Sequence, residues 1–179
     1  MSCDGPVHFR RAVTDDAAGI AQVHVDGWQR AHEGLAPPEY IAHRSARGRE
    51  DFWREELEIE APDRKPWVAL SDEDRIIGFA DGGLARDDDL DAGTGEIYNL
   101  FVTPECWEKG IRSRLVEHVA RDLLEHDFRR AVFWVLAADE VMRAFAEYLG
   151  WRADGSTPTE ECDGVEVEAV SYTHLTLPT

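Results

Sequence analysis

One segment of this chain combines residue types suited to binding an anion. Leu100-Phe-Val-Thr-Pro104 is an apolar stretch ended by proline, Gly110 follows in a short polar segment, and an amphipathic pattern begins at Ile111. The first N–H groups of a helix lack intrahelical partners and carry the positive end of its dipole, so a strand, a glycine-bearing loop and a helix start predict a phosphate site. We therefore expect a phosphate-bearing cofactor over residues Lys109 to Ser113.

Other groupings of reactive residue types are less informative. The acidic run Asp87–Asp91 begins like a calcium loop, but Ala92 and Tyr98 replace the glycine and glutamate that such a loop requires. We interpret this run as an acidic connection between strands. No two of the seven histidines have H-x-x-x-H spacing, and the three cysteines have no C-x-x-C spacing. The sequence therefore predicts no metal site, and free thiols.

Hydrophobic periodicity divides the chain into strands and helices. Strands are predicted over 8–13, 67–70, 76–79, 96–102, 131–136 and from 165, and helices over 14–33, after Pro38, over 110–127 and up to Gly150. The clearest helix is 110–127, in which apolar residues recur every four positions from Ile111 to Leu123. The resulting order predicts an α/β protein with a mixed sheet flanked by helices.

The order and spacing of these segments resemble the GNAT superfamily of acyl-CoA-dependent N-acyltransferases over nearly all of residues 8–170. The similar segments are the opening strand with the Asp15-Asp16 helix start, the Trp28-containing helix followed by Glu33-Gly-Leu-Ala-Pro-Pro-Glu-Tyr40, Glu96-Ile-Tyr-Asn-Leu-Phe-Val-Thr-Pro104, Trp107-Glu-Lys-Gly-Ile-Arg-Ser-Arg-Leu115 and Phe145-Ala-Glu-Tyr-Leu-Gly-Trp151. The resemblance implies a GNAT fold, in which the central strands splay to admit acetyl-CoA.

The resemblance also implies where coenzyme A binds. In this superfamily the loop reads (Gln or Arg)-x-x-Gly-x-(Gly or Ala), and its backbone amides hold the pyrophosphate. Here the loop aligns with Trp107 to Arg112, and Gly110 fits its fourth position. Arg112 replaces the small last residue, so it either pairs with a phosphate or obstructs the loop. The implied cofactor-binding residues are Phe101, Val102, Lys109, Gly110, Ile111, Arg112, Ser113 and Asp139.

Two candidate catalytic residues follow from the same resemblance. Attack on a thioester needs a neutral amine and a proton for the departing thiolate. Glu96 lies eleven residues before Trp107, where some branches of the family place a general base; the alternative is a solvated residue at a strand start. The usual acid is a tyrosine at the position of Ala146. Tyr148 stands two residues later, about 200° around a helix, and is the remaining candidate for the acid.

We predict an N-acetyltransferase that moves an acetyl group from acetyl-CoA to a primary amine of a small molecule or a protein N-terminus. The alternative is a catalytically impaired member that binds an acyl-CoA or only dimerises, because several positions depart from the family pattern. Two interpretations also remain open for Trp28, Phe52 and Trp53, which either line an acceptor pocket or belong to the core.

Charge and hydropathy limit the partners that we expect. The chain has 37 acidic and 19 basic residues, a net charge of −18, and only two of its cations are lysines. Such a field opposes nucleic acid and anionic lipid, so we expect neither, whereas a homodimer is compatible with it. We expect a cytoplasmic protein, since neither a secretory signal nor an apolar run of about 20 residues is present. The acidic, lysine-poor composition resembles that of salt-adapted proteins, although a GC-rich genome also favours arginine.

We interpret residues 1–170 as a single domain and residues 171–179 as a non-native tail. The sequence Ser171-Tyr-Thr-His-Leu-Thr-Leu-Pro-Thr179 resembles the translation of a sequencing adapter. The alternative is an ordinary tail. If the tail is non-native, it replaces the end of a strand that begins at Val165.

Overall fold

The computed structural model describes residues 5–34, 46–59, 65–87, 89–157, 159–162 and 165–174. Its strands are β1 (His8–Arg11), β2 (Trp67–Leu70), β3 (Ile76–Leu84), β4 (Thr94–Val102), β5 (Arg130–Leu136), β6 (Arg152–Ala153), β7 (Thr159–Cys162) and β8 (Val165–His174), and its α-helices are α1 (Ala17–His32), α2 (Ala46–Glu58), α3 (Ile111–Glu125) and α4 (Glu140–Tyr148). Short 3₁₀ helices cover Thr14–Asp16 and Pro104–Lys109. These elements confirm the predicted ones within the described residues, and β6 and β7 were not predicted. Residues 35–45, which include the predicted start of the second helix after Pro38 and the 35–40 part of the family resemblance, lie outside the described residues.

The strands form one mixed sheet in the order β1-β2-β3-β4-β5-β8-β6, and β7 pairs with β8 beside this path. All neighbouring pairs are antiparallel except β4 and β5, which are parallel. A parallel pair needs a crossover connection, and α3 supplies it. The predicted mixed sheet flanked by helices is therefore confirmed.

Two hydrophobic clusters show that both faces of the sheet are covered. On one face α1 and α2 pack against Val68, Phe79 and Phe101. On the other face α3 and α4 pack against Ala80, Ile97, Leu100 and Val102. The helical repeat that begins at Ile111 supplies the buried side of α3. Residues of β3 and β4 are thus divided between an α1/α2 face and an α3/α4 face.

The last strand continues past the proposed domain boundary at residue 170. Residues 169–174 of β8 pair with β5, and Tyr172 is fully buried, with its hydroxyl donating to Glu147. Residues 171–174 are therefore an integral part of the sheet, whatever the origin of the tail. In the part of the chain that the structure describes, no helix is long and apolar enough to cross a membrane.

Candidate active site

A β-bulge in β4 determines which side chains share the α1/α2 face. Asp81 pairs with Asn99 and Gly82 pairs with Ile97, so Tyr98 is an extra residue in β4. A bulge shifts the alternation of a strand by one residue. Glu96 and Phe101 are five positions apart and would lie on opposite faces of a regular strand, yet the bulge brings both to the α1/α2 face.

The sheet opens immediately after this bulge. β4 and β5 pair from Thr94 with Arg130 to Ile97 with Phe133, and no further pair joins these two strands. Backbone N–H and C=O groups on that edge of β4 beyond Ile97 therefore face a gap instead of a neighbouring strand. The splayed central strands implied by the family resemblance are confirmed.

A cavity of about 790 Å³ occupies the gap. Trp28 and Trp53 line it from the α1/α2 face, while Val135 and Met142 line it from the side of α3 and α4. Because the lining comes from both faces, the cavity passes through the sheet where the two strands separate. Two molecules that enter from opposite faces can therefore meet inside it.

Glu96 is a buried carboxylate in the wall of this cavity, with only 2% of its surface exposed. Arg86 binds both of its oxygens: the backbone N–H donates to Oε2 at 2.8 Å, and Nε and Nη2 donate to Oε1 at 3.2 and 2.5 Å. The guanidinium of Arg86 also lies 4.4 Å from the centre of the Tyr98 ring. The alternative interpretation, that Glu96 is a solvated residue at a strand start, is wrong because its carboxylate is buried.

The ion pair also alters the titration of Arg86. Burial lowers the pKa of its guanidinium, but the hydrogen bonds and negative charge of Glu96, with smaller effects of Tyr98 and Asp81, leave that pKa above its usual value. Arg86 therefore remains a cation, and it holds the Glu96 carboxylate in a fixed orientation toward the cavity.

Asp81 is a second buried carboxylate on the same face. It is 3% exposed, lines the cavity and accepts a hydrogen bond of 2.8 Å from Nδ2 of Asn99, its partner across β3 and β4. The sequence interpretation did not single out Asp81 or Arg86. The signal that could have found them is a charged residue within an otherwise apolar strand, for Asp81, and an arginine directly after that strand, for Arg86.

α3 begins directly after Gly110, the residue that fits the fourth position of the loop pattern. Gly110 has φ = 68°, in the left-handed region that glycine adopts without strain, and a Cβ atom added there would meet no heavy atom within 4 Å. The loop is therefore open where a phosphate would approach the backbone. The residues of this loop and helix start are not among those that line the cavity: Lys109, Gly110, Ile111, Arg112 and Ser113.

Arg112 packs against Trp107, which stands at the first position of the loop pattern. Its guanidinium lies 4.4 Å from the centre of the Trp107 ring, and Nε1 of Trp107 donates to the carbonyl oxygen of Val102 at 2.7 Å. Burial lowers the pKa of Arg112, and the charge of Asp139 opposes this effect. The Arg112 side chain is thus held beside the loop, against an indole that is anchored to the end of β4.

The remaining predicted residues are only partly brought together. Phe101 and Asp139 line the cavity, and Asp139 also caps α4 by accepting a hydrogen bond from Met142 N at 2.9 Å. Val102 is buried against α3 at the end of β4. Tyr148 is 82% exposed and does not line the cavity, whereas Ala146 is buried.

The aromatic residues of the first two helices contribute to the wall of the cavity, and one of them also belongs to the hydrophobic core. Trp28, Phe52 and Trp53 all line the cavity. Trp53 is also fully buried, and its Nε1 donates to Nδ1 of His24 at 3.2 Å. The two interpretations that the sequence left open are therefore compatible at Trp53.

Two other sequence predictions concern metal and thiols. In the described ranges, no group of three or more His, Cys, Asp or Glu side chains is arranged to hold a metal ion. Cys106, buried beside the loop, is disulfide-bonded, so the prediction of a free thiol is wrong for this residue. Cysteines that are far apart in sequence leave no spacing signal.

Comparison with known proteins matches this architecture. A sequence model described as the acetyltransferase (GNAT) family matches residues 17–151. The uncharacterized N-acetyltransferase YuaI of Bacillus subtilis strain 168 is 28% identical over 130 residues, which cover 73% of this chain and 72% of that protein.

Solved structures agree on the fold. The N-acetyltransferase from Staphylococcus aureus Mu50 has a TM-score of 0.75 at 18% identity, covering 97% of this chain and 100% of its own. The PaiA N-acetyltransferase from Thermoplasma acidophilum, solved in complex with coenzyme A, has a TM-score of 0.67 at 18% identity, covering 92% of this chain and 98% of its own.

Proposed function

Since the chain belongs to the acetyltransferase (GNAT) family, we propose that it transfers an acetyl group from acetyl-CoA to the primary amine of an acceptor. The observation that carries this proposal is the cavity that passes through the sheet between β4 and β5, with the buried carboxylate of Glu96 in its wall.

We propose that each substrate approaches from a different face of the sheet. The loop at Gly110 and the start of α3 lie on the α3/α4 side, where helix N–H groups can bind the phosphates of acetyl-CoA. Arg112 lies beside this loop and adds a cation for a phosphate. The acceptor then enters from the α1/α2 face, and the two meet at the gap.

The thioester supplies an electrophilic carbonyl carbon, which the amine nitrogen attacks. The C–N bond forms, the C–S bond breaks, and the proton that the attacking nitrogen loses on becoming an amide passes through water to the departing thiolate. Glu96 receives the proton that the acceptor ammonium must lose, through a water molecule. Its oxygens can do so while bound to Arg86, because a carboxylate offers about four acceptor positions and Arg86 fills three.

A second candidate function is binding of an acyl-CoA without transfer. The observation that favours it is the absence of a tyrosine from α4 at the cavity, since Tyr148 points to solvent and Ala146 stands at the usual position. In that case Glu96 and Arg86 are only a structural ion pair.

One pair of measurements tests the proposal. Isothermal titration with acetyl-CoA measures binding, and a thiol-release assay over a panel of primary amines measures transfer, with mass spectrometry of the acetylated product and an amine-free reaction as the control for hydrolysis. Binding together with amine-dependent thiol release supports the transferase. Binding without release over the panel supports the second candidate, and no binding contradicts both.

A further inference from the structure

Arg86 uses only one edge of its guanidinium group to bind Glu96. Nε and Nη2 of Arg86 donate to Oε1 of Glu96 at 3.2 and 2.5 Å. A guanidinium group has five N–H donors in one plane, so three remain, two on Nη1 and one on Nη2. Within the part of the chain that the structure describes, the side chain of Arg86 donates to Glu96 alone. One Nη1 donor and the remaining Nη2 donor point in parallel and form a fork that fits a carboxylate.

The second edge of Arg86 is open to a ligand and held in place. The Arg86 side chain lines the cavity and is 62% exposed, although its partner Glu96 is buried. The guanidinium carbon lies 4.4 Å from the centre of the Tyr98 ring, and the Tyr98 hydroxyl donates to the carbonyl oxygen of Leu84 at 2.5 Å. The ion pair fixes one edge of the guanidinium plane and the ring supports one face. Arg86 therefore loses little side-chain entropy when its second edge binds a ligand.

The charges around Arg86 favour a ligand that carries both a negative and a positive group. The carboxylates of Glu96 and Asp87 line the same cavity, and the whole chain has a net charge of −18. This field repels a ligand that has only negative charge. A ligand that joins a carboxylate to an ammonium group has no net charge. Its carboxylate matches Arg86, and its ammonium group matches the negative side of the Arg86–Glu96 pair.

We infer, resting on the proposed function, that the acceptor is an amino acid, a small molecule with both a primary amine and a carboxylate. Arg86 binds the carboxylate through its second edge, and Glu96 receives, through water, the proton that the ammonium group loses. A protein N-terminus has a peptide carbonyl in place of the carboxylate, and a polyamine has neither group. Both therefore lack the group that Arg86 recognises, so Arg86 determines specificity for the acceptor.

Turnover with matched substrates tests this class. Thiol release by the wild-type protein at saturating acetyl-CoA is measured with each standard amino acid, with the amide of each amino acid that reacts, with spermidine and with a trialanine peptide. We expect at least one amino acid to react, with a kcat/KM about tenfold or more above that of its amide, since the amide lacks the charge-assisted contact. An amide that reacts as well as its amino acid overturns the inference.

A matched pair of arginine variants tests the role of Arg86. Arg86→Met removes the fork, whereas Arg54→Met removes an arginine that also pairs with a glutamate, Glu50, but does not line the cavity. For each variant, kcat/KM for the amino acid is divided by kcat/KM for its amide. Comparing this ratio between variants cancels the difference in basicity between the two amines. We expect a ratio of about one for Arg86→Met and the wild-type ratio for Arg54→Met.

The ratio also separates recognition from a purely structural role. If Arg86 only holds Glu96, its loss lowers kcat/KM for both substrates by the same factor and leaves the ratio unchanged, which contradicts the inference. Far-UV circular dichroism shows whether each variant is folded. If Arg86→Met does not fold, Arg86→Lys replaces it, because lysine keeps the cation without the planar fork. We expect Arg86→Lys to lower the ratio as well, and an unchanged ratio again contradicts the inference.

The inference and the proposed function on which it rests fail differently. If spermidine or the peptide supports thiol release and no amino acid does, the acetyltransferase proposal stands and the amino acid inference is wrong. If the wild-type protein releases no thiol with any of these acceptors, the acetyltransferase proposal is wrong, and the inference falls with it.

Discussion

Glu96 is the side chain whose role the structure changes most. Its burial and its three hydrogen bonds from Arg86 exclude a solvated strand start, and two functions fit these contacts. As a base, it takes a proton from the acceptor. As a purely structural partner of Arg86, it fixes the connection between β3 and β4. Measurements of stability and of turnover distinguish these functions. Loss of a base lowers the reaction rate even when the variant folds normally, whereas loss of a structural partner lowers stability.

The first prediction concerns the variant Glu96→Gln. We expect kcat at neutral pH to fall by about 10²-fold or more, the usual contribution of a general base, with partial recovery at higher pH where more of the amine is neutral. Steady-state thiol release over a pH series measures both effects. Glu125→Gln, an exposed change at the end of α3, is the control. A wild-type rate with Glu96→Gln shows that the residue is structural.

The second prediction concerns Arg112 in the loop. Because its guanidinium rests on Trp107 and not across Gly110, we expect it to pair with a phosphate. Arg112→Ala should weaken acetyl-CoA binding by about 1.5–3 kcal/mol, the scale of a charge-assisted hydrogen bond. Arg114→Ala is a matched control, since Arg114 lies on the same helix and packs 4.8 Å from the Phe9 ring. Tighter binding by Arg112→Ala would show that the arginine obstructs the loop.

At the scale of elements, the start of α3 depends on a single left-handed residue. Gly110 and Gly155 both have positive φ, 68° and 91°, and both have open space where a Cβ would lie. An alanine at either position would therefore be strained by the positive φ, but only the alanine at residue 110 would lie at the start of α3. This pair separates the effect of strain from the effect of blocking the loop.

The third prediction uses that pair. Gly110→Ala and Gly155→Ala should each lower the free energy of unfolding by about 1–2 kcal/mol, measured by urea denaturation. Only Gly110→Ala should weaken acetyl-CoA binding, by about tenfold or more, because its Cβ occupies the approach to the backbone amides. Similar affinities in the two variants would locate the phosphates elsewhere.

α3 also carries a histidine, His118, whose protonated form is less stable in the folded protein than in the unfolded chain. The His118 ring stacks on Trp67 with centroids 4.0 Å apart, and Nε1 of Trp67 donates to Asp122 at 2.7 Å. Burial lowers the pKa of His118, and so do Arg121 and Arg114, against the opposite effects of Asp122 and Glu117. The folded state therefore favours the neutral ring.

The fourth prediction follows from the sign of this shift. When the folded-state pKa lies below the unfolded value of about 6.5, the unfolded state binds more protons between the two values. Stability is therefore fully present above about pH 6.5 and is lost as the pH falls toward the folded-state pKa. Urea denaturation near pH 7.5 and near pH 5.5 measures the difference. We expect His118→Phe to reduce this difference in the free energy of unfolding between the two pH values. An unchanged difference would show that His118 does not cause it.

At the scale of the whole molecule, the net charge of −18 is the dominant electrostatic feature. A compact chain with this charge repels itself, and salt reduces the repulsion because about 1 M salt shortens the Debye length to about 3 Å. Exposed ion pairs lose strength under the same conditions, but each contributes little. We therefore expect the stabilisation that comes from screening the net charge to exceed the destabilisation that comes from weaker ion pairs.

The fifth prediction is that added KCl stabilises the protein. The thermal unfolding midpoint should rise as KCl increases from about 0.05 M toward about 1 M, with most of the gain at low concentration where screening changes fastest. NaCl at equal ionic strength is the control, since screening depends on ionic strength. A falling midpoint would show that exposed ion pairs such as Arg30 with Glu33 outweigh the repulsion between like charges.

The sequence alone determined the fold and the loop that precedes α3. The four-residue repeat from Ile111 to Leu123 predicts α3, and the proline and glycine around the loop mark its ends, because these signals act within a few residues. The mixed sheet follows from the order of the elements. Local patterns of this kind persist in the tertiary structure, since packing buries the apolar faces that they define.

Only the tertiary structure decided the composition of the cavity. The extra residue Tyr98 in β4 brings Glu96 to the same face as Phe101, and alternation in the sequence gives no sign of it. The divergence of β4 from β5 opens the sheet, and Asp81 and Arg86 reach the cavity from β3 and the loop after it. Strand register depends on pairing between residues that are distant in the chain, so no local pattern encodes it.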